Sequence, residues 1–269
     1  MSDSAITTVP VSLSIAGSEA SGAAGAQVDL KTFQALGTFG IVALTCIVSV
    51  DPENEWVHRF VPIEPSLIAD QLEAEFACHT MDAVKTGMLG TPGTIEVVAA
   101  ALAEHAPRQL VVDPVLICKG QEPGMALDTD NALKSQILPR ATFVTPNQFE
   151  ALTLAGMESI ESENDLIEAA KRVYDLCGAA VLAKGGVRLA GPDAVDVFYD
   201  GSTLEVLRAP KVGDYSVNGA GCSLAAAVTA ELAKGATPLE AARTAKAFVR
   251  SGIRNRVPSR SPFDSVHLG

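Results

Sequence analysis

The chain lacks any apolar run long enough to cross a bilayer, which excludes a membrane-spanning helix. It has no C-x-x-C pair: its five cysteines, at 46, 78, 118, 177 and 222, are scattered and odd in number. That pattern argues against a disulfide framework or a zinc site and for free thiols in a reducing cytoplasm. Positive charge is scarce. Lysine and arginine number 20 against 32 acidic residues, a net charge of −12, which counts against nucleic acid and anionic membranes as partners. Met1 to Thr8 carries Asp3 and no basic residue, so no signal peptide is expected. No composition shift marks a linker. At 269 residues and 48% hydrophobic content, the chain fits one large α/β domain or two small ones with a sizeable core.

The most informative stretch is Tyr215 to Lys234, where Asn218-Gly219-Ala220-Gly221 runs directly into an Ala-rich segment of strong helix propensity. Glycines allow close backbone approach to a ligand, and the unpaired N–H groups and dipole of a helix start make an anion site. Cys222 falls where loop becomes helix, the position that lowers a thiol pKa. The stretch reads either as an anion hole beside a thiolate base or as a turn before a buried helix, with Cys222 a small core residue.

The remaining chain alternates strands and helices. Strands are expected at 9–16, 40–50, 83–85, 109–112, 142–144 and 180–183, with a hairpin of 194–199 and 203–207 about Asp200-Gly201. Helices are expected at 27–36, 64–78, 94–105, 127–138, 165–177 and 239–253, besides the one after Gly221. The tail from Arg254 is polar and basic and is expected to lie on the surface. Such alternation implies a mostly parallel sheet covered on both faces, whose ligands collect at the carboxyl ends of its strands. The unusual polar and glycine-rich loops all fall at those ends: 17–25, 86–91, 113–120, 145–150, 184–186 and 218–222. None is a Walker A loop.

The residues on these loops suit phosphoryl transfer, which needs alignment and charge stabilisation more than covalent chemistry. Asn147 and Glu150 could hold a hydrated Mg2+, or could simply cap a helix. Asp113, before a proline, could serve the same charge cluster or start a turn. Lys184, between a strand and two glycines, could reach a phosphate or be a solvated strand end. Cys118 sits in a Lys/Gly/Pro loop, a poor place for a structural thiol.

Six ordered motifs carry a resemblance: I-A-G-S-x-x-S-G-x-A-G-x-Q-x-D-L-K-T-F (15–33), K-T-G-M-L (85–89), V-D-P-V (112–115), T-P-N-x-x-E (145–150), K-G-G (184–186) and G-A-G-C (219–222). Together they resemble the ribokinase-like superfamily, in the branch of hydroxymethylpyrimidine kinases and bacterial pyridoxal kinases. The resemblance implies one α/β domain over residues 1–269 with its core at about 10–253, and a homodimer. It also implies ATP, Mg2+ and transfer of the γ-phosphoryl group to a hydroxymethyl group on an aromatic heterocycle.

By that resemblance Gly219, Ala220, Gly221 and Cys222 would form the anion hole, with Cys222 standing where other members place an aspartate base. Asp113, Asn147, Lys184 and Asn218 would surround the nucleotide phosphates, and Glu150 and Asp113 the metal. Gly17, Ser18, Asp29, Val50 and Met88 would line the substrate pocket, and Cys118 would ride on a closing lid. G-A-G-C, the lid cysteine and Val50 resemble pyridoxal kinases, whereas the pyrimidine enzymes typically carry G-T-G-C and a glutamine at position 50. Pyridoxal also has an aldehyde that a Cys118 thiol could capture reversibly. The sequence departs from the branch at Asn218, where histidine is usual, and at Glu19, where aspartate is usual. A pyrimidine kinase and a weakly active pyridoxal-binding homologue are the alternatives. A dehydrogenase reading of G-A-G fails at Leu224, where the dinucleotide fingerprint needs glycine or alanine.

Overall fold

Runs of β-branched and small apolar residues build the centre of the molecule. The computed structural model describes residues 8–116 and 123–269. Among them, nine strands form one sheet: β1 (Val11–Glu19), β2 (Phe39–Asp51), β3 (Val57–Pro62), β4 (Ala83–Thr86), β5 (Leu110–Val112), β6 (Phe143–Val144), β7 (Ala180–Gly186), β8 (Asp193–Tyr199) and β9 (Leu204–Pro210). Their spatial order is β3-β2-β1-β4-β5-β6-β7-β8-β9. The six strands from β2 to β7 in this order run parallel, and β3, β8 and β9 are antiparallel additions at the two sides.

Two helical layers cover the sheet. On one face α2 (Pro65–Cys78), α3 (Pro92–His105), α5 (Gln148–Ala155) and α6 (Glu163–Cys177) enclose a core that includes Leu13, Ile15, Ile68, Ile95, Leu166 and Val181. On the other, α1 (Gly25–Ala35), α7 (Ala220–Ala233) and α8 (Pro238–Arg254) pack over Val111, Phe143, Leu182 and Phe198. Helix α7 is apolar nearly all round, the pattern of a buried helix. Its alanines at 225, 226, 227 and 230 are fully buried, letting the helix lie close to the sheet and to α1.

The structure departs from the sequence expectations in five places. Strand β1 continues through Gly17, Ser18 and Glu19, which were expected to be loop, with a register shift between Ala16 and Ser18. β3 was not expected: it is an edge strand with Arg59 on its outer face and a terminal proline, a weak signal against the two-face-buried strands. α5 was expected only as a possible cap. α4 (Pro123–Ala132) gives way at Leu133 to a wider π turn and a 3₁₀ turn at Leu138–Arg140, since Pro139 cannot continue the helical ladder. The tail does not merely lie on the surface. Val266 is buried, and residues 264–266 hydrogen-bond to Asn218.

Candidate active site

The carboxyl ends of β1, β4, β5, β6 and β7 and the start of α7 meet on one side of the sheet. The bend into α7 is made by Gly219, at φ +84°, where a Cβ would stand 1.7 Å from the Ala23 carbonyl oxygen. No side chain caps this helix. Beyond the Ala220 amide, which donates to the Val217 carbonyl at 3.4 Å, its first turn lacks the usual side-chain acceptor, which is the arrangement that receives an anion. A Cβ on Gly221 would be 3.5 Å from Lys184 Nζ, so the lysine reaches the same point.

Lys184 stands at the end of β7, and its N–H donates to the Pro146 carbonyl at 2.8 Å, which zips the strand end to the 145–150 loop. Its ammonium donates to Asp113 Oδ1 at 3.2 Å, and Thr145 Oγ1 donates to the same oxygen at 3.2 Å. Burial opposes the Lys184 charge, but Asp113 and Glu150 outweigh it and hold the ammonium above its ordinary pKa. Asn147 and Glu150 form a capping box on α5: Asn147 Oδ1 accepts from the Phe149 and Glu150 amides, and Glu150 Oε2 accepts from the Asn147 amide at 2.7 Å. The capping reading of this pair is thus correct as local geometry.

The cap does not exhaust Glu150. Burial, reinforced by the Asp113 charge against Lys184, pushes its carboxyl well above the usual range. Two buried carboxylates facing one ammonium leave room for another positive charge. That donor set fits a hydrated Mg2+, which takes few protein carboxylates and completes its octahedron with water and phosphate oxygens.

These groups line a single cleft of about 400 Å³. It joins Asp113, Asn147, Glu150, Lys184 and Asn218 to the Gly219–Cys222 turn, so every residue expected at the phosphates, together with the Cys222 thiol, falls in one place. Val187, Val212, Val249 and Ile253 give the far wall an apolar character. Two wall residues carry no sequence signal. Lys246 of α8 donates to Asp196 Oδ2 of β8 at 2.7 Å, and Asp196 Oδ1 accepts from the Gly185 amide at 3.1 Å. They are fifty positions apart, and only the β8–α8 packing brings them together.

Cys222 corrects one expectation. The helix start was expected to lower its pKa, yet the half-buried thiol is pushed up to about 11, by burial first and by the Asp113 charge second. Lys85 acts in the opposite sense and does not prevail. The ligand-free chain thus holds a thiol there, not a thiolate.

The residues expected around the acceptor do not line this cleft. Asp29 is fully buried: its Oδ2 accepts from Lys85 Nζ at 2.9 Å and from Ser14 Oγ at 2.6 Å, beneath the site rather than on its wall. Ser18 Oγ accepts from Gln27 Nε2 at 2.6 Å, and Gln27 Oε1 accepts from the Glu19 amide. Gln27, a motif residue given no role from the sequence, therefore ties two strand-end residues to α1. Glu19 organises the next turn, its carboxylate accepting from the Ser21 and Ala23 amides. Gly17 has no room for a side chain, since a Cβ would lie 2.4 Å from Cys46 Sγ and 3.9 Å from Met88 Sδ. Val50 is half-buried near the end of β2, opposite His58. Cys118 lies outside the described residues.

Known proteins share this fold. The family model described as phosphomethylpyrimidine kinase matches residues 19–267. The pyridoxine kinase of Bacillus subtilis (strain 168) is 45% identical over 246 residues, 91% of each chain. The ADP complex of Bacillus subtilis pyridoxal kinase superposes with a TM-score of 0.92 at 43% identity, covering 97% of this chain and 98% of the other. Staphylococcus aureus pyridoxal kinase, solved with AMP-PCP and pyridoxal, gives a TM-score of 0.89 at 40% identity, covering 97% and 94%. With its nine-stranded, mostly parallel sheet and its phosphate-side cluster, the chain belongs to the phosphomethylpyrimidine kinase family.

Proposed function

We propose that this protein is an ATP-dependent pyridoxal kinase, transferring the γ-phosphoryl group to the 5'-hydroxymethyl of pyridoxal. The observation that carries the reading is the single cleft in which Lys184, Asp113 and the uncapped amides of α7 converge beside Cys222. In the reaction the hydroxymethyl oxygen attacks the γ-phosphorus, the bond to the bridging oxygen of ADP breaks, and the hydroxyl proton must leave. The Gly219–Cys222 amides would stabilise charge on the transferring group, and Lys184 would hold the phosphate oxygens. Cys222 would receive the proton as a thiolate, its own thiol proton having first left to solvent. Burial and Asp113 oppose its ionisation in the ligand-free chain, while Lys85 favours it. A Mg2+ held by Asp113 and Glu150 would neutralise phosphate charge and align the nucleotide.

Pyridoxal is preferred to the pyrimidine because the matched kinases of 40–45% identity bear pyridoxal or pyridoxine in their names, and because the chain carries G-A-G-C and Val50. The protein would act in the cytoplasm, and no helix of the described residues is long and apolar enough to cross a membrane. A homodimer is supported by exposed apolar residues at one edge of the sheet, where Ile47 pairs with Val61 across β2–β3 and Val57 follows four residues along, with Arg59 between them. Light scattering at micromolar concentration reads that directly.

ADP release measured with pyridoxal, pyridoxine, pyridoxamine and hydroxymethylpyrimidine tests the function. Pyridoxal should give the highest kcat/KM. Faster turnover of the pyrimidine would overturn the substrate, and binding of pyridoxal without ADP release would make the protein a carrier.

A further inference from the structure

The start of α7 has an unusual support. The loop that leads into it, Val212 to Asn218, forms one wall of the cleft and bends at two positive-φ glycines, Gly213 and Gly219. A loop of this kind is mobile unless its backbone is tied, and an anion hole works only when its amides are already in place. The tie comes from the C-terminal segment. The Asn218 amide donates to the Asp264 carbonyl at 2.8 Å, and the Asn218 carbonyl accepts from the Val266 amide at 3.0 Å.

The segment is itself fastened at three points. Val257 and Ser265 exchange two backbone hydrogen bonds of 2.8 and 2.9 Å, closing it into a loop. Val266 is buried against Gly219 and Gly252, where an added Cβ would come within 3.0 and 2.7 Å of its methyl groups. Gly252 is thus a notch in α8 for Val266, and the His267 amide donates to the Gly252 carbonyl at 3.1 Å. The third point is polar. Asp264 accepts from Arg256 Nε at 2.9 Å, from the Ser259 amide at 3.3 Å and from the Tyr215 hydroxyl at 3.4 Å. The Arg256 guanidinium lies 5.1 Å from the centre of the Tyr215 ring.

We infer that Asp264 and Arg256 are positioning residues for phosphoryl transfer: with Tyr215 they clamp the C-terminal segment to the 212–218 loop and so fix the amides of Gly219 to Cys222. An exposed ion pair alone contributes little to stability. Here the carboxylate gathers donors from two separate stretches of chain, 256–259 and Tyr215, and its own backbone carbonyl holds Asn218, so its effect is on loop geometry. Neither residue lines the cleft. The inference rests on the kinase reading for its consequence, though not for the clamp itself.

Hydrogen exchange of the ligand-free protein, followed at the amides of 218–222, tests the clamp in Asp264→Ala, Arg256→Ala and the double variant. Exchange should rise at least about tenfold in each single variant, with the melting temperature nearly kept. The double variant should resemble the worse single one, because both break one unit. In ADP-release assays kcat should fall roughly ten- to a hundredfold while KM for pyridoxal stays within about twofold. Arg256→Lys, which keeps the charge but loses the planar fork, should recover part of the loss. Unchanged exchange at 218–222 in both single variants, or additive losses in the double, would overturn the clamp. If Asp264→Ala does not fold, Arg256→Ala carries the same exchange test, and exchange equal to wild type overturns it. A wild-type protein idle on pyridoxal would sink the kinase reading and leave the exchange result standing.

Discussion

The phosphate side and the acceptor side of this site are built on different terms. On the phosphate side, Asp113, Lys184, Glu150 and the α7 turn stand in one cleft, held by backbone bridges and a capping box. On the acceptor side the expected residues are spent on structure: Asp29 in a buried ion pair, Ser18 on Gln27, Gly17 against Cys46. On the proposed reading a nucleotide would meet a prepared surface, whereas the acceptor would meet a floor most of whose polar groups already have partners. On that reading, specificity for the acceptor would depend on half-buried side chains above that floor, Val50 and Met88 among them.

Attacking Cys222, which joins the two sides, should have the largest effect. Cys222→Ala is expected to lower kcat roughly 10²- to 10⁴-fold, the span for a positioned proton acceptor, with ADP affinity kept in calorimetry. In a Cys118→Ser background, iodoacetamide should modify ligand-free Cys222 slowly near neutrality and about tenfold faster per pH unit until the thiol ionises near 11. Fast modification near neutral pH would mean a resting thiolate. On the phosphate side alone, Gly219→Ala drives a Cβ into the Ala23 carbonyl and strains the positive φ. A loss of about 10²- to 10³-fold in kcat is expected, as when oxyanion donors are displaced. Near-normal turnover would show that the bend is not the anion site.

How much of this was readable before the structure follows the same division. The parallel strands announced themselves through β-branched runs, and their loop ends through glycines and lone polar residues, because those positions answer to local rules. The phosphate cluster was legible for that reason. The partners of Asp29 were not: Lys85 is 56 positions away, and total burial of a Lys–Asp pair leaves no local mark. Val257 to Val266 reads as solvated sequence because much of its anchoring lies in backbone hydrogen bonds, and its side-chain anchors, Asp264 and Val266, meet partners that no local pattern announces. β3 was hidden by its edge position, and Cys222 misled because helix-start logic ignores desolvation.

On the acceptor side, Lys85→Met strands the Asp29 carboxylate, whose Oδ1 already lacks a partner. Breaking a buried pair in this way costs about 3–5 kcal/mol, measurable by urea unfolding. Burial, the largest influence on Asp29, already raises its pKa in the intact protein. Without Lys85 to oppose that, the carboxyl should take up a proton more readily, so the deficit should shrink as pH falls toward 5 and grow as it rises. A deficit independent of pH would mean that Asp29 is neutral throughout. The smallest effect is expected for Val50→Gln. It should raise kcat/KM for hydroxymethylpyrimidine about tenfold relative to pyridoxal, the usual worth of one pocket contact. An unchanged ratio would remove Val50 from the acceptor pocket.

The contacts at Gly219 and Gly25 reach beyond the reaction. Gly219 abuts the Ala23 carbonyl, and a Cβ on Gly25 would sit 2.2 Å from the Gly17 carbonyl, so main chain presses on main chain where the β1 loop meets α7. A saturation mutagenesis screen would score both glycines as indispensable, although neither has a side chain with which to do chemistry. Descendants of this gene could not adjust the junction by ordinary substitution. On the proposed reading, drift toward a new acceptor would be written near the neighbouring strand ends, at positions such as 50 in β2 and 88 after β4, while the seam itself stayed the same.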